Sequence, residues 1–337
     1  MSIGLAVIGC GQWGFNHLRV FAETEGVRLL YGVDPREDRR KSLERRFPGA
    51  RFVADPGAAL ADPAVTAVVI ATPTSTHAPV VRAALEAGKD VLCEKPLCTS
   101  PSEAAGLRDL AAARGRILMV GHVFVYNAGI QLLRRYVQEG TLGRLYYFHS
   151  TRTNLGPIRE DVDVVWDLAA HDVSIFHYIL GRSPVEVSAR GASFLREPTA
   201  DLAFLTLAYP GGVAAHVHVS WLDPRKVRQI TAVGEKKMAL WDDMNPAEPI
   251  RLYDKGVRRE PGYESFGEFQ LVIHEEEVLI PRVRQIEPLK AEDAHFIDCV
   301  RTRKAPVTDG AAGFEVVRVL DAVRRSLEGR GVPVSVT

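Results

Sequence analysis

The chain has little cysteine and no excess of either charge. Cys10, Cys93, Cys98 and Cys299 are its only cysteines in 337 residues, and no two of them form a Cys-x-x-Cys pair. That spacing writes neither a disulfide framework nor a zinc ribbon, so reduced thiols in the cytoplasm are expected. Lys and Arg together number 42, as do Asp and Glu. Before and including Gly121 there are 15 basic and 13 acidic residues; after it there are 27 and 29. Neither part offers the one-signed field that nucleic acid or an anionic membrane requires, so neither partner is expected. No apolar run nears the roughly 20 residues that span a bilayer. The start reads directly into a strand without a basic leader, and no signal peptide is expected. What remains is an ordinary globular composition, 46% hydrophobic and 25% charged. At this length one core usually divides, so two domains are expected.

Up to residue 121, strand and helix patterns alternate. Apolar runs at Ile3–Ile8, Val27–Val33, Val65–Ile70, Val91–Cys93 and Ile117–Val120 read as strands. Helical stretches follow Gly14 and occupy Arg36–Phe47, Thr76–Ala87 and Ser102–Arg114. Such alternation predicts a parallel sheet covered on both faces. The first strand ends in Gly9-Cys10-Gly11-Gln12-Trp13-Gly14, a helix follows, and Asp34 stands twenty residues beyond Gly14 at the end of the next strand. These three conditions together form a dinucleotide-binding pattern. Gly9 permits the turn, Gly11 lets backbone approach a pyrophosphate, and Gly14 lets helix and strand pack closely. Gln12 and Trp13 fall in the same turn and join the cofactor set. Asp34 accepts hydrogen bonds from ribose hydroxyls and would repel a 2′-phosphate, which favours NAD. Arg36, two residues on, keeps NADP open.

Two further segments follow strand ends, where ligands of open α/β sheets bind. Ala71-Thr72-Pro73-Thr74-Ser75-Thr76-His77 sets Thr72 and Pro73 beside the cofactor; His77 is as well suited to capping or packing as to binding it. Cys93-Glu94-Lys95-Pro96-Leu97 carries Glu94 to the cofactor and projects Lys95 into the crevice. In isolation Glu94-Lys95 would be a solvated pair; its position argues for function.

With the glycine turn, the Ala71-Thr72-Pro73…His77 stretch and above all Glu94-Lys95-Pro96, the chain resembles the Gfo/Idh/MocA oxidoreductases. The likeness continues through Leu289-Lys290-Ala291-Glu292…His295-Phe296, Ala305-Pro306-Val307-Thr308-Asp309-Gly310 and the helix Gly313–Leu327. It implies an α/β Rossmann domain with a parallel sheet, followed by an open-faced, mostly antiparallel α+β domain. It also implies hydride transfer between a nicotinamide and the hydroxyl-bearing carbon of a sugar or cyclitol. The boundary is set at 1–121 for dinucleotide binding and 122–337 for substrate binding and oligomerisation.

The later residues agree with that layout. Leu145–Thr151, Val185–Phe194, Ala203–Tyr209, Val213–Trp221, Arg228–Gly234 and Met238–Asp242 alternate or run apolar as strands do. Pro210-Gly211-Gly212 and Glu235-Lys236-Lys237 supply hairpin turns. An apolar outer face on such a sheet would need a partner copy, so a homo-oligomer, dimer or tetramer, is expected.

Val164–Gly181 reads as one helix stopped by Gly181. Asp167 and His171 lie four apart and share a face, extended by Ser174 and Tyr178. That spacing also occurs on ordinary exposed helices; the resemblance assigns the pair to the helix facing the nicotinamide. His171 is then the proton acceptor, Lys95 the cation that steadies the alkoxide, and Asp167 the group that holds His171 or a neighbouring hydroxyl. Which of Lys95 and His171 takes the proton first stays open. Before this helix, Thr151–Arg159 reads as a loop whose Arg152, Asn154 and Arg159 suit phosphate or carboxylate. That stretch resembles members acting at the 3-hydroxyl of UDP-N-acetylglucosamine. Inositol or free-sugar dehydrogenases, and NAD-dependent glycoside hydrolases of the same family, are the alternatives. A catalytically silent dinucleotide sensor is disfavoured by the presence of Lys95, Asp167 and His171. The other histidines read as structural: His216 and His218 share a strand's polar face without a third metal ligand, His274 opens a charged turn or edge, and His295 sits on a helix. No metal is expected.

Overall fold

A computed structural model describes residues 2–259 and 271–337. They fall into two compact units. One takes the chain up to Tyr126 together with Ile286–Asp321; the other takes Asn127–Gln285 together with Ala322–Thr337.

In the first unit β1 (Ile3–Ile8), β2 (Val27–Val33), β3 (Arg51–Val53), β4 (Ala67–Ile70), β5 (Asp90–Glu94) and β6 (Leu118–Gly121) pair in the order β3-β2-β1-β4-β5-β6. Every pairing is parallel. Between the strands run α1 (Gln12–Ala22), α2 (Glu37–Arg46), α3 (Gly57–Ala61), α4 (His77–Glu86) and α5 (Pro101–Ala113). β1, β4 and β5 are buried along their whole length, which explains their unbroken apolar sequences. The chain leaves β1 toward β2 and later returns to β4 on its other side. That switch opens a crevice beyond the carboxyl ends of β1 and β4.

The second unit begins with α6 (Ala128–Gln138). Its nine-stranded sheet contains β7 (Leu145–Leu155), β8 (Glu186–Ala192), β9 (Leu202–Ala208), β10 (Ala214–Ser220), β11 (Leu222–Gly234), β12 (Met238–Asp242), β13 (Ile250–Arg259) and β14 (Leu271–Leu279). β15 (Val334–Ser335), at the end of the chain, completes the order β14-β13-β12-β11-β7-β10-β9-β8-β15. All neighbours are antiparallel except β7 and β10. Along β7, Phe148, Ser150 and Arg152 face inward, and Phe148 stacks on Phe176 of α7 (Ala170–Leu180), ring centroids 4.9 Å apart. On the outer face His149, His216, His218 and Phe204 touch ring to ring.

Several boundaries differ from expectation. The first unit does not end the matter at residue 121. α8 (Pro288–Thr302) and the start of α9 (Gly310–Glu328) return to it, because Leu289, Asp293, Phe296 and Ile297 bury one face of α8 there. Arg19 pairs with Glu287, Lys290 Nζ lies 2.9 Å from Glu23, and Arg303 forks onto Asp90 at 2.6 and 3.0 Å. Periodicity announces a helix but not which sheet it covers. The expected loop Thr151–Arg159 is strand as far as Leu155. The expected single helix from Val164 opens as a π turn, Val165–Ala169, in which the Ala170 N–H reaches back five residues to the Val165 carbonyl. Gly181, in the left-handed region at φ 64°, does end α7. His274 lies in the edge strand β14. All four cysteines are free and buried, and burial pushes Cys10 up to about 12.

The Arg152–Asp172 pair anchors α7 beneath the sheet. Arg152 Nε and Nη2 lie 2.9 and 3.1 Å from the Asp172 oxygens, and Ser150 donates to the same carboxylate at 2.7 Å. Both charges are almost fully buried. Asp172→Ala leaves the guanidinium uncompensated and is expected to destabilise the second unit by about 3–5 kcal/mol, measured by denaturant unfolding.

Candidate active site

The glycine turn between β1 and α1 is shaped by contacts a side chain would break. Gly9 has φ +86°, and a Cβ there would lie 2.7 Å from the Ala71 carbonyl and the Thr72 nitrogen, across the switch point. A Cβ on Gly14 would lie 1.8 Å from the Gly9 oxygen. Gly11 differs: a Cβ there meets no atom within 4 Å, so the chain's own packing does not demand glycine. It stands at the α1 N-terminus, which no side chain caps. Exposed first-turn amides behind an open glycine fit the approach of a pyrophosphate.

Asp34 closes the other end of this half-site. Its Oδ2 accepts from the Cys10 N–H at 3.2 Å and its Oδ1 from the Arg36 N–H at 3.0 Å, which fixes the carboxylate at the tip of β2. The Arg36 side chain is largely exposed, with Nε 3.9 Å from Asp34. Beside them lies a cleft of about 500 Å³ lined by Gly11, Gln12, Phe15, Arg36, Arg39 and Arg46, among others. Arg39 donates to the Cys10 carbonyl at 2.7 Å, and Arg46 lies over the Phe15 ring at 4.6 Å. In the first unit an open glycine turn, a fixed carboxylate and a cleft thus adjoin one another. Trp13 projects from the same turn, 41% exposed.

His77 joins the two loops that follow β4 and β5. Its Nδ1 lies 2.8 Å from the Pro96 carbonyl and its Nε2 2.9 Å from that of Thr72. The buried ring ties the Thr72-Pro73 turn to the Glu94-Lys95-Pro96 turn. Thr76 adds hydrogen bonds to Thr72 Oγ1 at 2.8 Å and the Pro73 carbonyl at 2.7 Å.

Beneath Lys95 is a group that sequence reasoning missed. His17, on the buried face of α1, has Nδ1 2.9 Å from Asp293 Oδ1 and Nε2 3.2 Å from Glu94 Oε1. Glu94 Oε2 accepts the Lys95 backbone N–H at 3.1 Å. Burial alone would strip the His17 proton. The charge and hydrogen bond of Asp293, joined by Glu94, reverse that and hold the imidazolium well above the usual histidine range. A signal was available: His17 lies three residues after Gly14 and four before Phe21, hence on the apolar stripe.

In the second unit, Asp167 occupies the π turn and His171 the first turn of α7. Asp167 Oδ2 accepts from Trp221 Nε1 at 3.1 Å, and Oδ1 lies 3.4 Å from Arg159 Nη1. π turns recur at functional sites because they re-aim the side chains they carry. Asp163 caps this start, accepting from the Val165 and Trp166 N–H groups at 2.9 and 3.0 Å. His171 is buried, and its carbonyl accepts from Ser174 Oγ at 2.8 Å.

The arginines expected to recognise substrate are committed elsewhere. Arg152 is the buried partner of Asp172, and inward alternation along β7 is the physical reason. Arg159 forks onto Asp161 at 2.9 and 2.6 Å besides reaching Asp167. Asn154 lies on β7, its amide against Gly156. His295 is structural: its Nε2 accepts the Val307 N–H at 3.1 Å. Among the described residues no cluster of His, Cys, Asp and Glu is arranged to hold a metal ion.

Comparison with known proteins agrees with this geometry. Residues 3–122 match an oxidoreductase family with an NAD-binding Rossmann fold, and residues 130–240 match the GFO/IDH/MocA C-terminal domain. Inositol 2-dehydrogenase 2 of Saccharopolyspora erythraea is 30% identical over 226 residues, 65% of this chain and 67% of that protein. UDP-N-acetylglucosamine 3-dehydrogenase of Acidithiobacillus ferrooxidans is 28% identical across 96% of each chain. The crystal structure of GenD2 from gentamicin A biosynthesis, in complex with NAD, superposes with a TM-score of 0.83 at 25% identity, covering 99% of this chain and 97% of that one.

The two glycines separate packing from binding. Gly11→Val is expected to leave the melting temperature unchanged while weakening NAD affinity at least about tenfold. Gly14→Ala is expected to lower the melting temperature itself. Thermal melts and a dinucleotide fluorescence titration check both.

Proposed function

Because the chain belongs to the Gfo/Idh/MocA family of NAD-binding oxidoreductases, we propose that it oxidises a secondary hydroxyl on the ring of a sugar or cyclitol. Lys95, His171 and Asp167 are the groups we assign to the reacting carbon. Bound NAD supplies the hydride acceptor. The Gly9–Gly14 turn would hold its pyrophosphate and Asp34 its ribose hydroxyls, with Gln12, Trp13, Arg36, Thr72, Pro73 and Glu94 completing the binding set. The Lys95 ammonium orients the substrate hydroxyl and steadies the negative charge that grows on its oxygen. His171 takes the hydroxyl proton, and Asp167 holds either that imidazole or a neighbouring ring hydroxyl. The observation that carries this reading is Lys95 at the carboxyl end of β5, in a sheet whose adjacent switch point holds the glycine cradle.

For the substrate, the full-length likeness to a UDP-N-acetylglucosamine 3-dehydrogenase supports the 3-position of a nucleotide-activated amino sugar. One observation favours the second reading, an inositol-like ring: Arg152 and Arg159 already face acidic partners in their own unit. We further assign the protein to the cytoplasm, where four free, buried cysteines stay reduced. No helix among the described residues is long and apolar enough to cross a membrane. We also assign self-association, as dimer or tetramer, to the outer sheet face bearing Phe204, 43% exposed, and Tyr147, 45% exposed.

A screen of UDP-N-acetylglucosamine, inositols and free sugars with NAD, followed by nicotinamide absorbance, tests the reading. Turnover of the nucleotide sugar alone selects the first substrate, and turnover of unphosphorylated polyols alone rejects it. Lys95→Ala and His171→Ala are each expected to slow turnover roughly 10²–10⁴-fold while leaving NAD affinity near normal. Wild-type turnover in either variant removes that residue from the mechanism.

A further inference from the structure

Three acidic side chains and one imidazole are buried together behind the turn that carries Lys95. His17, Asp293 and Glu292 are inaccessible to solvent, and Glu94 is 7% exposed. Four charges in one apolar interior are costly unless they neutralise one another. His17 lies between Glu94 and Asp293, so one cation meets two anions at hydrogen-bond distance. Glu292 is the remaining acid, and neither of its carboxyl oxygens has a hydrogen-bond partner in the structure. Burial, then the charges of Glu94 and Asp293, push its carboxyl well above the usual carboxylate range.

The geometry is directional. Asp293 on α8 grips one ring nitrogen of His17, and the other grips Glu94 Oε1. The second oxygen of Glu94 takes the backbone N–H of Lys95. Strand β6 passes close to that carboxyl at Gly121, where a Cβ would lie 3.4 Å from Glu94 Oε2. The carboxylate is thus clamped from α1 and passed closely by β6. Its bond outside the clamp fixes the backbone of the residue assigned to the substrate hydroxyl. A solvated Glu94 would need none of this.

We propose that Asp293, His17 and Glu94 are positioning residues, a buried chain of hydrogen bonds that holds the Lys95 backbone in the geometry required for alkoxide stabilisation. The inference rests on the assignment of Lys95 above. Charge-assisted hydrogen bonds are short and directional, and a fully satisfied buried network rigidifies what it touches. Small displacements of a group that stabilises developing charge cost rate rather than binding.

The test uses the full-length protein with NAD bound, as wild type, His17→Gln, Asp293→Asn and Lys95→Ala. Hydrogen exchange of the Lys95 amide is expected to quicken at least about tenfold in His17→Gln and Asp293→Asn, with the β1 amides unchanged. Unaltered Lys95 exchange in a folded variant overturns the proposal, whatever the substrate. Asp293→Asn keeps the side-chain shape and carries the test if His17→Gln does not fold. With whichever of UDP-N-acetylglucosamine and myo-inositol is oxidised, kcat is expected to fall about 10- to 100-fold while KM and NAD affinity stay within about twofold. Adding His17→Gln to Lys95→Ala is expected to cost nothing further, because the network acts through that lysine. Effects that multiply instead overturn the proposal. Wild-type turnover in Lys95→Ala defeats the assignment of the lysine, and the exchange result then judges the network alone.

Discussion

The first unit depends on a single imidazole. His17 lies between carboxylates contributed by β5 and α8, the latter 276 residues further along the chain. Removing the ring would leave Glu94 and Asp293 without the group that bridges them. Removing either acid would leave one ring nitrogen of His17 without its carboxylate partner. The helices that meet here therefore cannot slide independently: α1 carries the glycine turn at its N-terminus, and β5 carries Lys95 beyond its end. The rigidity of the cofactor cradle and that of the lysine turn have a common origin.

The second unit solves a similar problem with a different pair. Arg152 and Asp172 are buried, forked together and completed by Ser150. This pair holds α7 against the inner sheet face one residue after His171. On the preceding turn, Asp167 is gripped by Trp221 and Arg159 rather than left to solvent. In both units, then, a residue assigned to chemistry stands next to a residue assigned to anchoring: Lys95 after Glu94, His171 before Asp172. Adjacent positions on a strand end or helix turn point differently, so one can be locked while its neighbour serves a ligand.

The parallel sheet and its glycine turn were legible because buried strands read as apolar runs and the dinucleotide turn has a fixed spacing. β3 and α3 were not, being three and five residues long. β13 and β14 were hidden by charged residues that interrupt their apolar ones: Lys255 and Glu275 face each other across their pairing. The π turn has no sequence period of its own, so Asp167 and His171 read as one regular helix. Arg152 is the instructive case. Its residue type suggested anion recognition, yet its place in the alternation, two after Ser150 and four after Phe148, already directed it inward. Pattern outweighed chemistry there. His17 was passed over for the opposite reason, since an imidazole on an apolar stripe gives no hint of partners supplied from the far end of the chain.

The return of α8 to the first sheet also has a consequence for how the polypeptide is made. A ribosome adding roughly 5–20 residues per second needs on the order of 15–55 s to progress from His17 to Asp293. Throughout that interval the nascent sheet exists without its closing helix, and an imidazole and a carboxylate that end up sealed in the core remain wet. Wet, they are tolerable; sealed early, they would be a defect. Synthesis of α8 is therefore what permits the interior of the sheet made before it to become dry.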